Sequence, residues 1–224
     1  MKNNKSIILL SGGLDSLVCL GLCKEDYNIE LAITFNYSQK SAEKEINAAK
    51  NLCRYYNIKS HEIIGLNWLA DITNTAIVSD EKLPDNIDNP AESAKAVWVP
   101  NRNGLFLNIA AAYADSYEYT HIILGANKEE AATFPDNSQF FINAINKEFE
   151  YSTMNKPKLI APLINYNKND IVCLALKNNM PLELVQSCYS DHPGHCGACE
   201  SCIRLRQALE YNNAKEYIKN IFND

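Results

Sequence analysis

The chain is poor in arginine. Four residues (Arg54, Arg102, Arg204 and Arg206) stand among 21 basic side chains, against 27 acidic ones, for a formal net charge of −6. No arginine-rich stripe appears, and a large nucleic-acid partner usually needs a basic face. The balance argues against a protein that grips RNA or DNA, although a local patch fits within a negative total. No apolar run is long enough to span a membrane. The first strand-like run begins by Lys5, with no room ahead of it for a signal peptide. The expectation is a cytoplasmic protein with no membrane partner. Two familiar phosphate-binding signatures are also missing. No Gly-Lys-Ser/Thr closes a glycine loop, and no Gly-x-Gly-x-x-Gly follows a strand.

What is present fits one α/β domain with a small appendage. The 224 residues are 46% hydrophobic and 21% charged, enough for a full core. Ser6-Ile7-Ile8-Leu9-Leu10 reads as a buried strand, and Leu17-Val18-Cys19-Leu20 reads as the first turns of a helix. Between them stands Ser11-Gly12-Gly13-Leu14-Asp15-Ser16. Strand, glycine turn and helix form a geometry that holds a phosphate chain. Glycines let the backbone approach an anion, successive N–H groups make a nest, and the helix N-terminus adds partial positive charge. The Ser11 and Ser16 hydroxyls can donate to phosphate oxygens. Asp15 would repel phosphate, so it holds the loop or a magnesium ion. The plainer reading is a glycine turn in an ordinary α/β protein.

Further strands are expected at Ile29–Asn36, Ser60–Ile64, His121–Gly125 and Leu159–Ile164, the last broken by Pro162. Helices are expected at Ser41–Tyr56, Gly104–Glu118, Ser138–Phe149, Asn167–Asn178, Ile203–Tyr211 and Ala214–Phe222. The alternation predicts a doubly wound, mostly parallel sheet, with the ligand at the carboxyl ends of the strands beside the switch point. Between about Asp71 and Val97 the pattern fails. Asp80, Glu81, Asp85, Asp88 and Glu92 mix there with Pro84 and Pro90, as a solvated loop or a lid. Arg102 follows a proline-fixed turn at a helix start. It is either a surface arginine or an anion contact. Polar residues from Asn127 to Asn137, past the fourth strand, lie where such enzymes keep substrate contacts.

Eight cysteines divide into two sets. Cys19, Cys23, Cys53 and Cys173 sit singly in apolar or helical contexts and read as small buried hydrophobes. Cys188, Cys196, Cys199 and Cys202 are clustered, with Gly194 and Gly197 between them. Tight turns can bring four such thiolates to one structural tetrahedral metal. An iron–sulfur cluster fits the same spacing, and His192 or His195 could replace one thiolate.

The first motif resembles the SGGxDS loop of the PP-loop ATP pyrophosphatases, an adenine nucleotide alpha hydrolase-like fold. Taken with the cysteine spacing and with Val99-Pro100-Asn101-Arg102-Asn103, it resembles the 7-cyano-7-deazaguanine synthase family over nearly the whole chain. The resemblance implies residues 1–180 as a nucleotide-binding domain and 181–224 as a zinc-binding helical segment packed on it. It implies ATP at Leu10, Ser11, Gly12, Gly13, Leu14, Asp15, Ser16 and Leu17, with magnesium. It implies zinc at Cys188, Cys196, Cys199 and Cys202. The reaction implied is ATP-dependent ligation of ammonia to 7-carboxy-7-deazaguanine through an acyl adenylate, giving the nitrile for queuosine or archaeosine. Ser11, Asp15, Ser16 and Arg102 would carry the chemistry. Phe134 would stack on the base and Asp136 would pair with its amidine edge. Two stretches depart from the family pattern: Tyr37-Ser38-Gln39-Lys40-Ser41 where Tyr-Gly-Gln-Arg-His is usual, and Phe134-Pro135-Asp136-Asn137-Ser138 where Tyr-Pro-Asp-Cys-Arg is usual. The alternatives are a PP-loop tRNA thiolase and a zinc-stapled nucleotide-binding module without catalysis. Whether the chain pairs as a homodimer is left open.

Overall fold

The computed structural model describes residues 4–79, 81, 83 and 95–222. Five strands form one sheet: β1 (Lys5–Leu9), β2 (Asn28–Asn36), β3 (Ser60–Gly65), β4 (His121–Ile123) and β5 (Lys158–Ile160), in the order β3-β2-β1-β4-β5. Every neighbouring pair is parallel. The chain therefore winds outward from β1 to β3, crosses back, and winds the other way through β4 and β5. The reversal falls between β1 and β4, where the carboxyl ends of the strands part and leave a crevice.

The central strands are apolar along their length because helices cover both faces. Side chains alternate between two cores. Ile8, Leu10, Ala32 and Ile123 face α1 (Leu14–Cys23), α2 (Ala42–Tyr55) and α7 (Lys168–Lys177). Ile7, Leu9, Ile33, Phe35 and Ile122 face α4 (Arg102–Ser116) and α6 (Gln139–Ser152). Helices α8 (Glu200–Tyr211) and α9 (Lys215–Phe222) join the first core through Leu205, Ala208, Leu209 and Phe222. Short helices α3 (Trp68–Asp71) and α5 (Lys128–Ala131) fill connections. Cys19, Cys23 and Cys53 are buried as small apolar groups, whereas Cys173 is only half-buried.

Local chemistry sets the boundaries. Asn167 caps α7 by accepting from the Asp170 N–H, and Asp170 returns the bond to the Asn167 N–H. Ser138 caps α6 through the Phe141 N–H at 3.2 Å. The last two strands are shorter than the apolar runs suggest, because the chain turns at Gly125 and because Pro162 has no N–H for a ladder. Helix α4 begins at Arg102, ahead of the expected Gly104, from an Asn101 in the left-handed region at φ 51°. The acidic stretch falls largely outside the described residues, which exclude Asp80, Pro84, Asp85, Asp88, Pro90 and Glu92. Its flanks are tied where Ala76 N–H donates to Ala96 O at 2.9 Å.

Candidate active site

The loop between β1 and α1 lies at the switch point. Leu10 N–H donates to Ile33 O at 2.8 Å, extending the ladder to the loop's edge. Gly12 then takes φ +82°, and a Cβ there would stand 2.7 Å from Ala48 Cβ and 2.8 Å from Glu45 O. Only glycine fits this left-handed turn pressed on α2. The Gly13 N–H donates to Ser11 Oγ at 3.3 Å, and the Ser16 hydroxyl donates to Gly13 O at 3.0 Å. The helical ladder begins with Leu17 N–H to Gly13 O at 3.0 Å. The amides of Leu14, Asp15 and Ser16 precede it and form the dipole-positive end of α1. Gly125, just past β4, approaches so closely that its Cβ would lie 3.2 Å from the Asp15–Ser16 backbone.

Leu10, Ser11, Gly13, Leu14, Asp15 and Ser16 line a cavity of 230 Å³. Gly12 and Leu17 are not in its wall: Gly12 is turned against α2, and Leu17 is buried in the core. A smaller cavity of 70 Å³ adjoins it, lined by Trp98, Phe134, Asp136, Glu129, Glu200 and Arg204 among others. Arg102, Glu130, Asn137, Lys168, Tyr189 and Ser201 belong to both walls. The two cavities thus form a two-chamber cleft with a charged partition.

The sequence-predicted residues divide between the chambers. The loop is in the first, Phe134 and Asp136 are in the second, and Arg102 is in the partition. The Phe134 ring lies nearly parallel to Trp98, at 5.9 Å and 7°. Burial pushes the Asp136 carboxyl up, against the pull of Arg102. Arg102 Nη1 donates to Tyr37 OH at 3.4 Å. Burial opposes the guanidinium charge, but Tyr37 and Asp136 outweigh it and hold Arg102 above its ordinary range.

Sequence reasoning missed the salt-bridge network in the partition and in the adjoining wall of the second chamber. Lys168 Nζ lies 2.5 Å from Asp15 Oδ2 and 3.0 Å from Glu130 Oε1. Arg204 pairs with Glu129, and with Glu200 at 2.7 Å. Burial pushes the Asp15 carboxyl up to about 6 against the opposing Lys168, and Asp15 Oδ1 is buried without a hydrogen-bond partner. Lys168 offered one sequence signal: it is a cation at the first position of a helix, where the dipole disfavours positive charge.

The four clustered cysteines converge. Their sulfurs all lie within 4.8 Å of one another, and Cys196 and Cys202 stand at 3.9 Å. A tetrahedral zinc with sulfur bonds of about 2.3 Å sets its ligands about 3.8 Å apart, so four thiolates of this spacing fit a metal ion. Cys196 N–H and Cys199 N–H donate to Cys188 Sγ and Cys196 Sγ at 3.4 and 3.3 Å. Cys199 occupies the N-cap position of α8 and Cys202 lies in its first turn, where the dipole favours thiolate. Neither histidine replaces a thiolate here. His195 Nε2 accepts from Ser187 N–H at 3.1 Å, and His192 is exposed. The cysteine segment also touches the loop, since Gln186 N–H donates to Gly12 O at 2.8 Å.

A parallel five-stranded sheet with a phosphate-type loop at its switch point defines a nucleotide-using α/β protein of the PP-loop class. Solved structures with this fold include a U34-tRNA thiolase, NcsA, from Methanococcus maripaludis (TM-score 0.55, 19% identity, covering all of this chain and 72% of that one). Another is the NMN synthetase of Francisella tularensis (TM-score 0.52, 17% identity, covering 98% and 84%). The family model described as "Queuosine biosynthesis protein QueC" matches residues 5–213. The 7-cyano-7-deazaguanine synthase of Methanosarcina barkeri is 46% identical over 95% of this chain and 96% of that protein. That of Bdellovibrio bacteriovorus is 41% identical over all of this chain and 99% of that protein. The chain belongs to the 7-cyano-7-deazaguanine synthase family, ATP-dependent ligases, and these relatives do not favour the thiolase or the non-catalytic module.

Proposed function

We propose that this protein converts 7-carboxy-7-deazaguanine and ammonia to 7-cyano-7-deazaguanine at the expense of ATP, with ATP in the loop chamber and the deazaguanine in the second. The observation that carries this placement is the two-chamber cleft with its shared charged wall. A carboxylate does not react with ammonia directly, because its leaving group would be oxide. Attack of the carboxylate oxygen on the α-phosphorus expels pyrophosphate and leaves a mixed anhydride. Ammonia then displaces AMP to give the amide. The amide oxygen is activated in the same way, and its departure with AMP leaves the nitrile. The Ser11 and Ser16 hydroxyls and the amides at the start of α1 bind the departing pyrophosphate and spread its charge. Arg102 offsets the charge of the phosphate or the substrate carboxylate. Phe134 stacks on the base with Trp98 beside it, and Asp136 accepts from its amidine edge.

Asp15 Oδ1, buried without a partner, fits a divalent cation accompanying the nucleotide. Magnesium bound there would neutralise phosphate charge. The cysteine site fits zinc as a structural clamp, and residues 181–224 would be the segment it secures. Chain and chemistry suit a cytoplasmic enzyme. Incubation with ATP, magnesium, ammonium and the carboxylic acid, followed by mass spectrometry and metal assay, tests the reading. Nitrile formation by protein carrying one zinc per chain is expected. ATP consumption that ignores the acid would overturn it.

Asp15 gives a pH signature. Its carboxyl titrates near 6 in the fold, above its ordinary 3.8, so ionising it costs folding stability as pH rises between those values. Below about 6 the neutral carboxyl loses its pull on Lys168 and on a cation. Affinity for magnesium–ATP is therefore expected to fall as pH drops through 6. Calorimetric titration should show this acid limb in the wild type and its absence in Asp15→Asn. The variant should also bind about tenfold to a hundredfold more weakly at pH 7.5, as for loss of one charge-assisted contact.

A further inference from the structure

The partition contains a cation that neither chamber explains alone. Lys168 Nζ is held by Asp15 Oδ2 from the loop side at 2.5 Å and by Glu130 Oε1, which like Lys168 lines both chambers, at 3.0 Å. These bonds engage two of its three donors with described residues, leaving a third for a ligand. Its side chain is 15% exposed, and the opening lies in the wall of both cavities. The backbone around it is fixed at several points. Lys168 N–H donates to Glu129 Oε2 at 3.1 Å, Lys128 N–H donates to Tyr166 O at 3.0 Å, and the Asn167–Asp170 capping box closes the turn. A lysine at the first position of a helix works against the dipole, so its own helix gives no reason for a charge there.

We infer that Lys168 is a catalytic residue whose ammonium bridges the substrate carboxylate and the α-phosphate during the first activation. The inference rests on the function proposed above and deepens it. The physical need is specific. In that step two anions must come into contact, oxygen to phosphorus, while pyrophosphate leaves. Outside the bond that forms (C–O–P) and the one that breaks (P–O–P), no proton moves. A fixed cation in a partly dry wall, between the chamber that presents the phosphate and the chamber that presents the carboxylate, lowers that repulsion as the oxygens converge. Arg102 shares the wall but donates to Tyr37, whereas Lys168 is bonded to the loop itself.

The second activation differs in charge, because the attacking amide is neutral. Loss of Lys168 should therefore slow the acid-started step much more than the amide-started step. A merely structural lysine would slow both alike. Pyrophosphate release in single turnover would be measured with full-length, metal-loaded Lys168→Gln and Lys168→Arg. Each would be started from 7-carboxy-7-deazaguanine or from the corresponding primary amide, with ATP affinity measured alongside. Lys168→Gln is expected to slow the acid-started release about a hundredfold or more, and the amide-started release at least tenfold less than that. ATP affinity should fall as well, because buried Asp15 loses the cation that favours its ionised form, so the two releases are compared at saturating ATP. Lys168→Arg should restore part of the acid-started rate. Were the glutamine variant not to fold, Lys168→Met, equally uncharged and of similar length, carries the same comparison: a lowered acid-to-amide rate ratio supports the role, and a wild-type ratio overturns it. Equal slowing of both steps, or no slowing, overturns it as well. Wild-type protein that releases no pyrophosphate with the acid would overturn the parent reading and this role together. Turnover by the wild type with an unchanged ratio in the variants would remove only the role of Lys168.

Discussion

Gly12→Ala is expected to lower ATP affinity at least about a hundredfold and to destabilise the fold by roughly 2–4 kcal/mol. Two costs combine. The left-handed backbone at φ +82° disfavours any side chain by about 1 kcal/mol or more. The added methyl then meets Ala48 Cβ at 2.7 Å and Glu45 O at 2.8 Å. These atoms belong to α2, whose Ala49 and Leu52 are fully buried, so the helix cannot retreat without opening the core. The loop must move instead, and with it the Gly13–Leu17 bond that aims the α1 amides. Gly13→Ala is the internal control. Gly13 has φ −78°, and the nearest atom to its new Cβ would be Ser11 Oγ at 3.4 Å. It should cost less than about 1 kcal/mol. Thermal midpoints and calorimetric ATP titrations of the two variants would check the contrast. Equal midpoints would mean that α2 yields and that the loop is not clamped from behind.

The contrast also marks what the letters of the motif could and could not convey. SGGLDS located the strand–turn–helix junction at the switch point because strand, glycine turn and helix are local events, encoded in consecutive residues. The alternation of Ile7 and Ile8 between two cores was equally legible, since side-chain period follows backbone geometry. The motif did not say which glycine bears the strain, because that depends on α2, more than 30 residues on. The Asp15–Lys168 pair joins positions 153 residues apart, and Arg204–Glu129 joins positions 75 apart. No periodicity reports such pairs. Only the two-way winding of the sheet brings the start of α7 beside the start of α1. The unusual Ser41 likewise has a partner visible only in three dimensions. Ser41 Oγ donates to Glu45 Oε1 at 2.5 Å, and Gln39 Nε2 donates to Glu45 Oε2 at 3.0 Å. The half-buried Glu45 carboxylate in the first chamber is thus bonded from within this stretch, by Ser41, which departs from the family pattern, and by Gln39, which keeps it.

Cys202→Ser is expected to abolish metal retention and, with it, most ATP binding, although Cys202 touches no nucleotide. Cys202 is fully buried, and its sulfur completes the four-sulfur site. Serine supplies a weak, hard ligand where a soft thiolate is needed, so retention should fall sharply and stability should drop by about 3–5 kcal/mol. The loss should stay local. Leu205, Ala208 and Leu209 still anchor α8 in the core shared with α1 and α7, so that helix remains docked. The stretch from Gln186 to Cys199 depends on the cluster: it holds three of the four sulfurs, and His195 is fastened there by Ser187. That stretch also carries the 2.8 Å bond from Gln186 N–H to Gly12 O, and Lys44 of α2 reaches back to Ser190 O at 3.3 Å. Freeing it removes the outer support of Gly12 while α2 still presses from behind, so the loop relaxes outward and its amides lose their common aim. Cys53→Ala should behave differently. It removes a buried thiol outside the cluster, costs about 1–2 kcal/mol, and leaves metal content and ATP affinity unchanged. Metal assay, thermal melting and ATP titration on both variants separate the outcomes. Hydrogen exchange at Gln186 gives the decisive reading, because its amide is the bond in question. Accelerated exchange there, with α8 still protected, is expected for Cys202→Ser. Unchanged exchange with unchanged ATP affinity, in protein shown to lack metal, would mean that the nucleotide loop stands without the clamp.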